Sequence, residues 1–344
     1  TDLVCTNSLA SIPTAENTRN LDLTPDGRFV AFVANTNGVQ GTTTSVQVWD
    51  ATTGLSVLAS GDLSNAVPFG SMSTRPVMDP SGRFVALLSS GSGLVSNSVP
   101  GTWHLYVRDL LAGTTALVDA DTNGAGSSVT AATVPSLSAD ARYVAFECAD
   151  GWLMANDNNH ALDVFVRDLI AGTNELISAC HPALASATPN GPSLLSAFSP
   201  SDDGRYIAFA SEADNPTASD PNGFRDVFVR DLASGTNLLV SADPSGVSGN
   251  GISTEPATSG DGRYVAFTSS ATNLVAGDTN KVTDIFVRDL QTGTTLLASP
   301  KSNGSGPGNK ASYSPTLSAD GRWLLFRSQA TDLAAGSFSG ENLF

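Results

Sequence analysis

Three short acidic stretches bring together residue types that could do chemistry. Asp157, Asn159 and Asp163, then Asp220, Asn222 and Asp226, then Asp278, Asn280 and Asp284 share the spacing i, i+2, i+6. Hard oxygen donors at alternate positions of a tight loop are what Ca²⁺ takes, with backbone carbonyls and water completing six to eight ligands. The usual side-chain donor at i+4 is missing, since Ala161, Phe224 and Val282 stand there. The same residues also build Asx turns, in which a side-chain oxygen accepts a backbone N–H two residues on and shapes the start of a strand. The sequence leaves both readings open, a calcium loop and a turn.

Other chemistry is thin. The three histidines, His104, His160 and His181, have no metal-ligand spacing with cysteine or with one another, which argues against zinc. Gly-X-Ser-X-Gly, His-Glu-X-X-His and phosphate-binding glycine loops do not occur. The 344 residues carry 33 acidic against 17 basic side chains, a formal net charge of −16, and only three lysines. A phosphate backbone would repel such a chain, so nucleic-acid partners are excluded, and anionic membrane surfaces are disfavoured. No apolar run approaches the length of a membrane span. The acidic balance, the scarcity of lysine and a first residue that is Thr1 rather than Met point to a secreted or periplasmic protein.

The loops sit within a repeat. One column reads Asp261-Gly262-Arg263-Tyr264-Val265-Ala266-Phe267, and its arginines recur at Arg28, Arg83, Arg142, Arg205, Arg263 and Arg322. A second column reads Asp284-Ile285-Phe286-Val287-Arg288-Asp289-Leu290, with arginines at 108, 167, 230 and 288. Both columns keep a period of about 59 residues, and self-similarity at such a period marks a repeat architecture. Each copy reads as four short strands: one before the Asp-Gly pair, often with a proline (Pro76, Pro135, Pro256, Pro315), a two-residue hairpin turn, a β-branched and aromatic second strand, a third strand, and a Thr-Gly turn into the fourth. Four strands repeated radially make a β-propeller blade. The expected fold is all-β, a six-bladed β-propeller of four-stranded antiparallel blades within one domain over 1–344. Its blades lie near 21–60, 76–119, 135–179, 197–241, 256–299, and 315–344 plus 1–7. Residues 1–7 serve there as the strand that closes the ring in the last blade.

These two phrases, present in several copies over nearly the whole chain, resemble the TolB-type, WD-like β-propeller repeat of bacterial envelope and secreted proteins. The resemblance implies the fold and leaves function open, because such propellers bind, scaffold or accompany enzymes. Blade one departs most, with Trp49-Asp50 in place of the Arg-Asp pair.

Ten arginines and ten aspartates fall in the repeat columns, and charges of both signs at a fixed period suggest pairs between blades or capped turns. The remaining 23 acidic and 7 basic residues place the negative excess in loops and ends. Cys148 stands where other copies have Ser211, Ser269 and Ser328, and Cys180 stands at the position of Asp243. Two cysteines in one repeat suggest a disulfide, Cys148–Cys180, with Cys5 left over. Second and fourth strands lie roughly 9.6 Å apart against the roughly 7 Å a disulfide tolerates, so the bond requires the strand ends to curl together. Trp49 and Trp323 occupy repeat columns and are expected in the core, while Trp152 and Phe224 fall in loops where aromatic side chains stack on ligands.

The expected function is a secreted or envelope-associated, non-enzymatic binding or scaffold propeller that presents its loop face to a protein or glycan partner, with calcium stabilising it. The alternatives are an extracellular hydrolase or lyase with its site at the funnel, and a structural subunit that assembles into oligomers by strand donation at blade six.

Overall fold

The computed structural model describes residues 20–35, 43–127, 134–154, 157, 159, 161–183, 188–336 and 338–344. Among them there is no helix, and therefore none long and apolar enough to cross a membrane. The first sheet holds β1 (Leu21–Leu23), β2 (Phe29–Asn35), β3 (Thr44–Asp50) and β4 (Leu55–Leu58). The second holds β5 (Ser73–Met78), β6 (Phe84–Ser89), β7 (His104–Asp109) and β8 (Thr114–Leu117). The third holds β9 (Ser136–Leu137), β10 (Tyr143–Cys148), β11 (Asp163–Asp168) and β12 (Thr173–Leu176). The fourth holds β13 (Ser193–Leu194), β14 (Tyr206–Ser211), β15 (Asp226–Asp231) and β16 (Thr236–Leu239). The fifth holds β17 (Ser253–Thr258), β18 (Tyr264–Ser269), β19 (Asp284–Asp289) and β20 (Thr294–Leu297). The sixth holds β21 (Ser312–Leu317), β22 (Leu324–Ser328) and β23 (Asn342–Leu343).

Each sheet follows chain order, and six sheets in six repeats are the blades of a six-bladed β-propeller. Among the described residues, five sheets have four strands and the sixth has three. The expected closing strand, residues 1–7, and Cys5 within it lie outside the described residues. The chain forms two compact units, Thr1–Ala155 with Val166–Glu175, and Asn156–Phe165 with Leu176–Phe344.

In β18 every residue after Tyr264 is buried, and β14 has the same pattern. In the second unit Phe209 stacks on Phe228 at 5.5 Å and Phe267 on Phe286 at 5.8 Å, pairing second and third strands through the core.

The Asp-Gly connection is longer than the two residues expected. Ser259 N–H donates to Tyr264 O at 2.8 Å, and Gly262 N–H donates to Ser259 O at 2.9 Å, which leaves four residues in the loop. Asp261 Oδ1 accepts from the Ser259 hydroxyl at 2.6 Å and from Arg263 N–H at 3.0 Å, capping the turn from within. Gly262 has φ +70°, and a β-carbon there would lie 2.3 Å from the Tyr206 ring, so glycine also lets the preceding blade's aromatic ring pack under the turn. In blade three Ala141 takes this left-handed position at φ +57°.

Proline marks a distortion in the first strand. The residues before Pro76, Pro256 and Pro315, namely Arg75, Glu255 and Ser314, have φ of +55°, +53° and +54° and sit at register shifts against the second strand. These bulges bend the strand at a cost of roughly 1 kcal/mol or more for each left-handed residue.

The repeating charges pair within blades rather than between them. Arg205 forms a two-point bond with Asp231 (2.8 and 2.9 Å), and Arg263 does the same with Asp289 (3.1 and 2.7 Å). Each arginine directly precedes the residue that pairs with its aspartate, Tyr206 with Asp231 and Tyr264 with Asp289, so the fixed cross-strand register brings the two charges together at the strand end. Each of these guanidinium groups also lies over the next ring in sequence, as Arg263 does over Tyr264 at 4.9 Å. Trp323 is a second departure: it holds the ring position of Tyr206 and Tyr264 yet is 73% exposed. Those two rings lie under the turn of the next repeat, and Trp323 belongs to the last one.

Candidate functional site

The acidic stretches form one structural device in three blades. Asn159, Asn222 and Asn280 each accept a backbone N–H through Oδ1, from Ala161 (2.9 Å), Phe224 (2.7 Å) and Val282 (3.0 Å). Their amide nitrogens donate to Oδ2 of Asp163, Asp226 and Asp284 at 2.8, 2.7 and 2.8 Å. Each also donates to a carbonyl of the connection to the next blade: Pro189, Gly249 or Gly308. Oδ1 of the same three aspartates accepts from Ser178, Ser241 and Ser299 at 2.9, 2.6 and 2.8 Å. The middle and last positions of each triplet therefore serve an Asx turn and the start of the third strand.

Burial dominates the electrostatics. Asp163 and Asp226 are pushed up to about 7 and Asp284 to about 6, because desolvation outweighs the bonds from Ser and Asn. The first aspartates, Asp157, Asp220 and Asp278, are buried too. Both oxygens of Asp220 and Oδ1 of Asp278 accept no hydrogen bond of ordinary geometry. Among the described residues, no group of three or more His, Cys, Asp or Glu side chains is arranged to hold a metal ion.

Blade two carries a variant of this device that the sequence reading missed. His104 opens β7 where blades three to five have aspartate, and Asp119 stands where they have Ser178, Ser241 and Ser299. The acid has changed strands. His104 Nδ1 lies 2.8 Å from Asp119 Oδ2, and both residues are buried. A β-carbon on Gly126 would come within 2.7 Å of that nitrogen, so the imidazole occupies the room glycine leaves. The signal was in the sequence, as an aspartate interrupting a column of serines. His160 lies outside the described residues. His181 Nδ1 accepts the Ala183 N–H at 3.3 Å in a turn.

Cys148 ends β10, Cys180 follows β12, and both are buried. The disulfide between them stays a proposal. Thiol titration under denaturant is expected to find one reactive thiol, and three would refute the bond.

The first unit contains a cleft of about 690 Å³ lined by Asp121, Asn123, Arg167, Thr173 and Asn174 among others, with Leu153 and Met154 supplying apolar surface. Arg167 is fixed in place, its Nη1 donating to Asn174 Oδ1 at 3.1 Å and to Ala120 O at 3.4 Å. Asn174 Nδ2 donates to the same carbonyl at 2.7 Å. Trp152 directly precedes this apolar pair in sequence and is 81% exposed. Phe224 is also exposed, while Trp103 is partly buried.

Comparison with known proteins agrees on the fold. The β-propeller domain of the Trilobed protease from Pyrococcus furiosus, described as having an open velcro topology, matches with a TM-score of 0.52 and 9% identity over 95% of this chain and 81% of that one. The chain is a β-propeller. An oligogalacturonate lyase in complex with manganese matches with a TM-score of 0.50 and 14% identity over 92% of this chain and 72% of that one. TolB from Acinetobacter baumannii is also among the similar structures, with a TM-score of 0.43 and 14% identity over 89% of this chain. The propeller spans 62% of that TolB chain. No protein-family model and no curated protein matches the sequence.

Proposed function

We propose that this propeller is a secreted or envelope-associated binding module, not an enzyme, that takes a glycan or protein partner in the cleft of its first unit. The observation that carries this reading is the lining of that cleft. Amide, hydroxyl, carboxylate and guanidinium groups converge around an apolar patch, the combination that recognises a polar ligand with apolar faces. Arg167 and Asn174 are already held by the protein, so little side-chain freedom is lost on binding. An exposed Trp152 offers a flat face of the kind on which sugars and peptides stack. Calcium in the acidic loops of blades three to five would stiffen the face that carries them.

Glycan and peptide arrays probed with and without millimolar calcium test this reading. Binding to a defined ligand class, with the ligand recovered intact, supports it. Cleavage of the bound ligand would favour a hydrolase or lyase, and no binding to either class would overturn it.

A further inference from the structure

Blade four buries three oxygens that lack a well-formed hydrogen bond, both of Asp220 and that of Ser248, although Ser248, Asp226 and the Asn222 N–H all lie close to the Asp220 carboxyl. Asp220 is 3% exposed and Ser248 6%, and neither Oδ1 nor Oδ2 of Asp220 nor Oγ of Ser248 makes a hydrogen bond of ordinary geometry. Ser248 and Asp226 both act on Asp220 at close range, so the two carboxyl groups and the hydroxyl face one another. Buried polar groups almost always have partners, and a cluster without them marks a position that something else fills. The charges that act most on the pair, their own and that of Asp214, are all negative. Two adjacent buried carboxylates need a proton or a cation between them.

We infer that this loop of blade four holds one calcium ion, on the carboxylates of Asp220 and Asp226 and the hydroxyl of Ser248, with water completing its shell. The inference rests on the calcium reading given above and narrows it to one blade and three side chains. Asn222 is not a ligand: its Oδ1 accepts the Phe224 N–H and its Nδ2 holds Asp226 and Gly249 O. Its task is to aim Asp226, whose oxygens keep lone pairs for the ion. Hard oxygens, two of them anionic, suit Ca²⁺ over softer metals. Blade five has the matching asparagine bonds, from Asn280 to Asp284 and Gly308 O, but Pro307 stands where blade four has Ser248, so the hydroxyl is lost.

The test is calorimetric titration of the full chain with CaCl₂ at pH 7.5, alongside melting curves in EDTA and in millimolar CaCl₂. Wild type is expected to bind calcium and to melt several degrees higher with it. Asp220→Asn removes the charge at nearly constant volume and is expected to abolish both effects. Ser248→Ala, which keeps both carboxylates, is expected to weaken binding about tenfold, and it keeps the inference testable should Asp220→Asn misfold. Calcium binding that survives Asp220→Asn but is lost in Asp157→Asn or Asp278→Asn would overturn this site while leaving calcium in the loops. Absence of calcium binding by wild type would overturn both. Melting that calcium leaves unchanged, but that rises in EDTA for Asp220→Asn, would show that the pair holds a proton instead.

Discussion

In EDTA, the melting temperature is expected to be highest near pH 4 and to fall by roughly 5–10 °C by pH 8, most of the fall lying between pH 4 and 7. The cause is the set of buried strand-opening aspartates. Asp163 and Asp226 are raised to about 7 and Asp284 to about 6, all by burial. A carboxyl raised above its unfolded value of about 3.9 binds its proton more tightly when folded. Its contribution to stability is complete below pH 4 and is lost as pH rises through 6 to 7, at up to about 1.4 kcal/mol per pH unit for each group. Burial also raises Asp119, which adds to the same trend. The arginine-paired acids act in the opposite direction. Asp109 and Asp231 are held at about 2 by Arg83 and Arg205, so their stabilisation is present above pH 4 and is lost only as pH falls towards 2. Differential scanning calorimetry across pH 3–9 measures the profile. A melting temperature that is flat or rising from pH 5 to 8 would contradict this assignment, and Asp226→Asn should make the alkaline fall smaller.

Asp119→Ala is expected to destabilise the protein by about 3 kcal/mol, the usual loss when one partner of a buried polar pair is removed. The substitution strips His104 Nδ1 of its partner and leaves the Leu105 N–H, which now donates to Asp119 Oδ1 at 3.3 Å, without an acceptor. Blades three to five supply the control. Converting His104 to Asp together with Asp119→Ser rebuilds the Asp–Ser pair found as Asp226 with Ser241, and this double variant should recover most of the lost stability. Urea unfolding of the two variants and wild type measures both effects. A double variant no more stable than Asp119→Ala would show that the His104–Asp119 pair is not the local equivalent of those pairs.

How much was legible in the sequence follows from the physics of each feature. The blades were legible because Arg263-Tyr264 and Phe286-Val287-Arg288-Asp289 recur at a period that only stacked repeats explain, and strand order then follows from the chain. The charge columns were legible as pairs between blades or as capped turns: Asp261 and Asp289 do cap turns, while Arg263 pairs with Asp289 inside its own blade, because spacing along the chain does not reveal which residues meet across a ladder. The left-handed residues before Pro76, Pro256 and Pro315 run against the extended preference of a residue preceding proline, so local preference pointed away from them. The role of Asn222 was half legible: the Asx turn was foreseen, while its grip on Asp226 and Gly249 depends on the next connection folding over it. The cleft was not legible at all. Asp121 and Asn174 belong to different repeats, and no column joins them.

Binding at that cleft is the property on which the proposed function depends. The direct measurement is the affinity of the strongest array ligand for wild type, Trp152→Ala and Asn123→Ala by isothermal titration, with melting curves to show that each variant is folded. The expected result is binding by wild type and a loss of roughly tenfold or more in each variant, about 1.4 kcal/mol, with melting unchanged. Equal affinity in all three proteins would place the binding surface elsewhere and contradict the account.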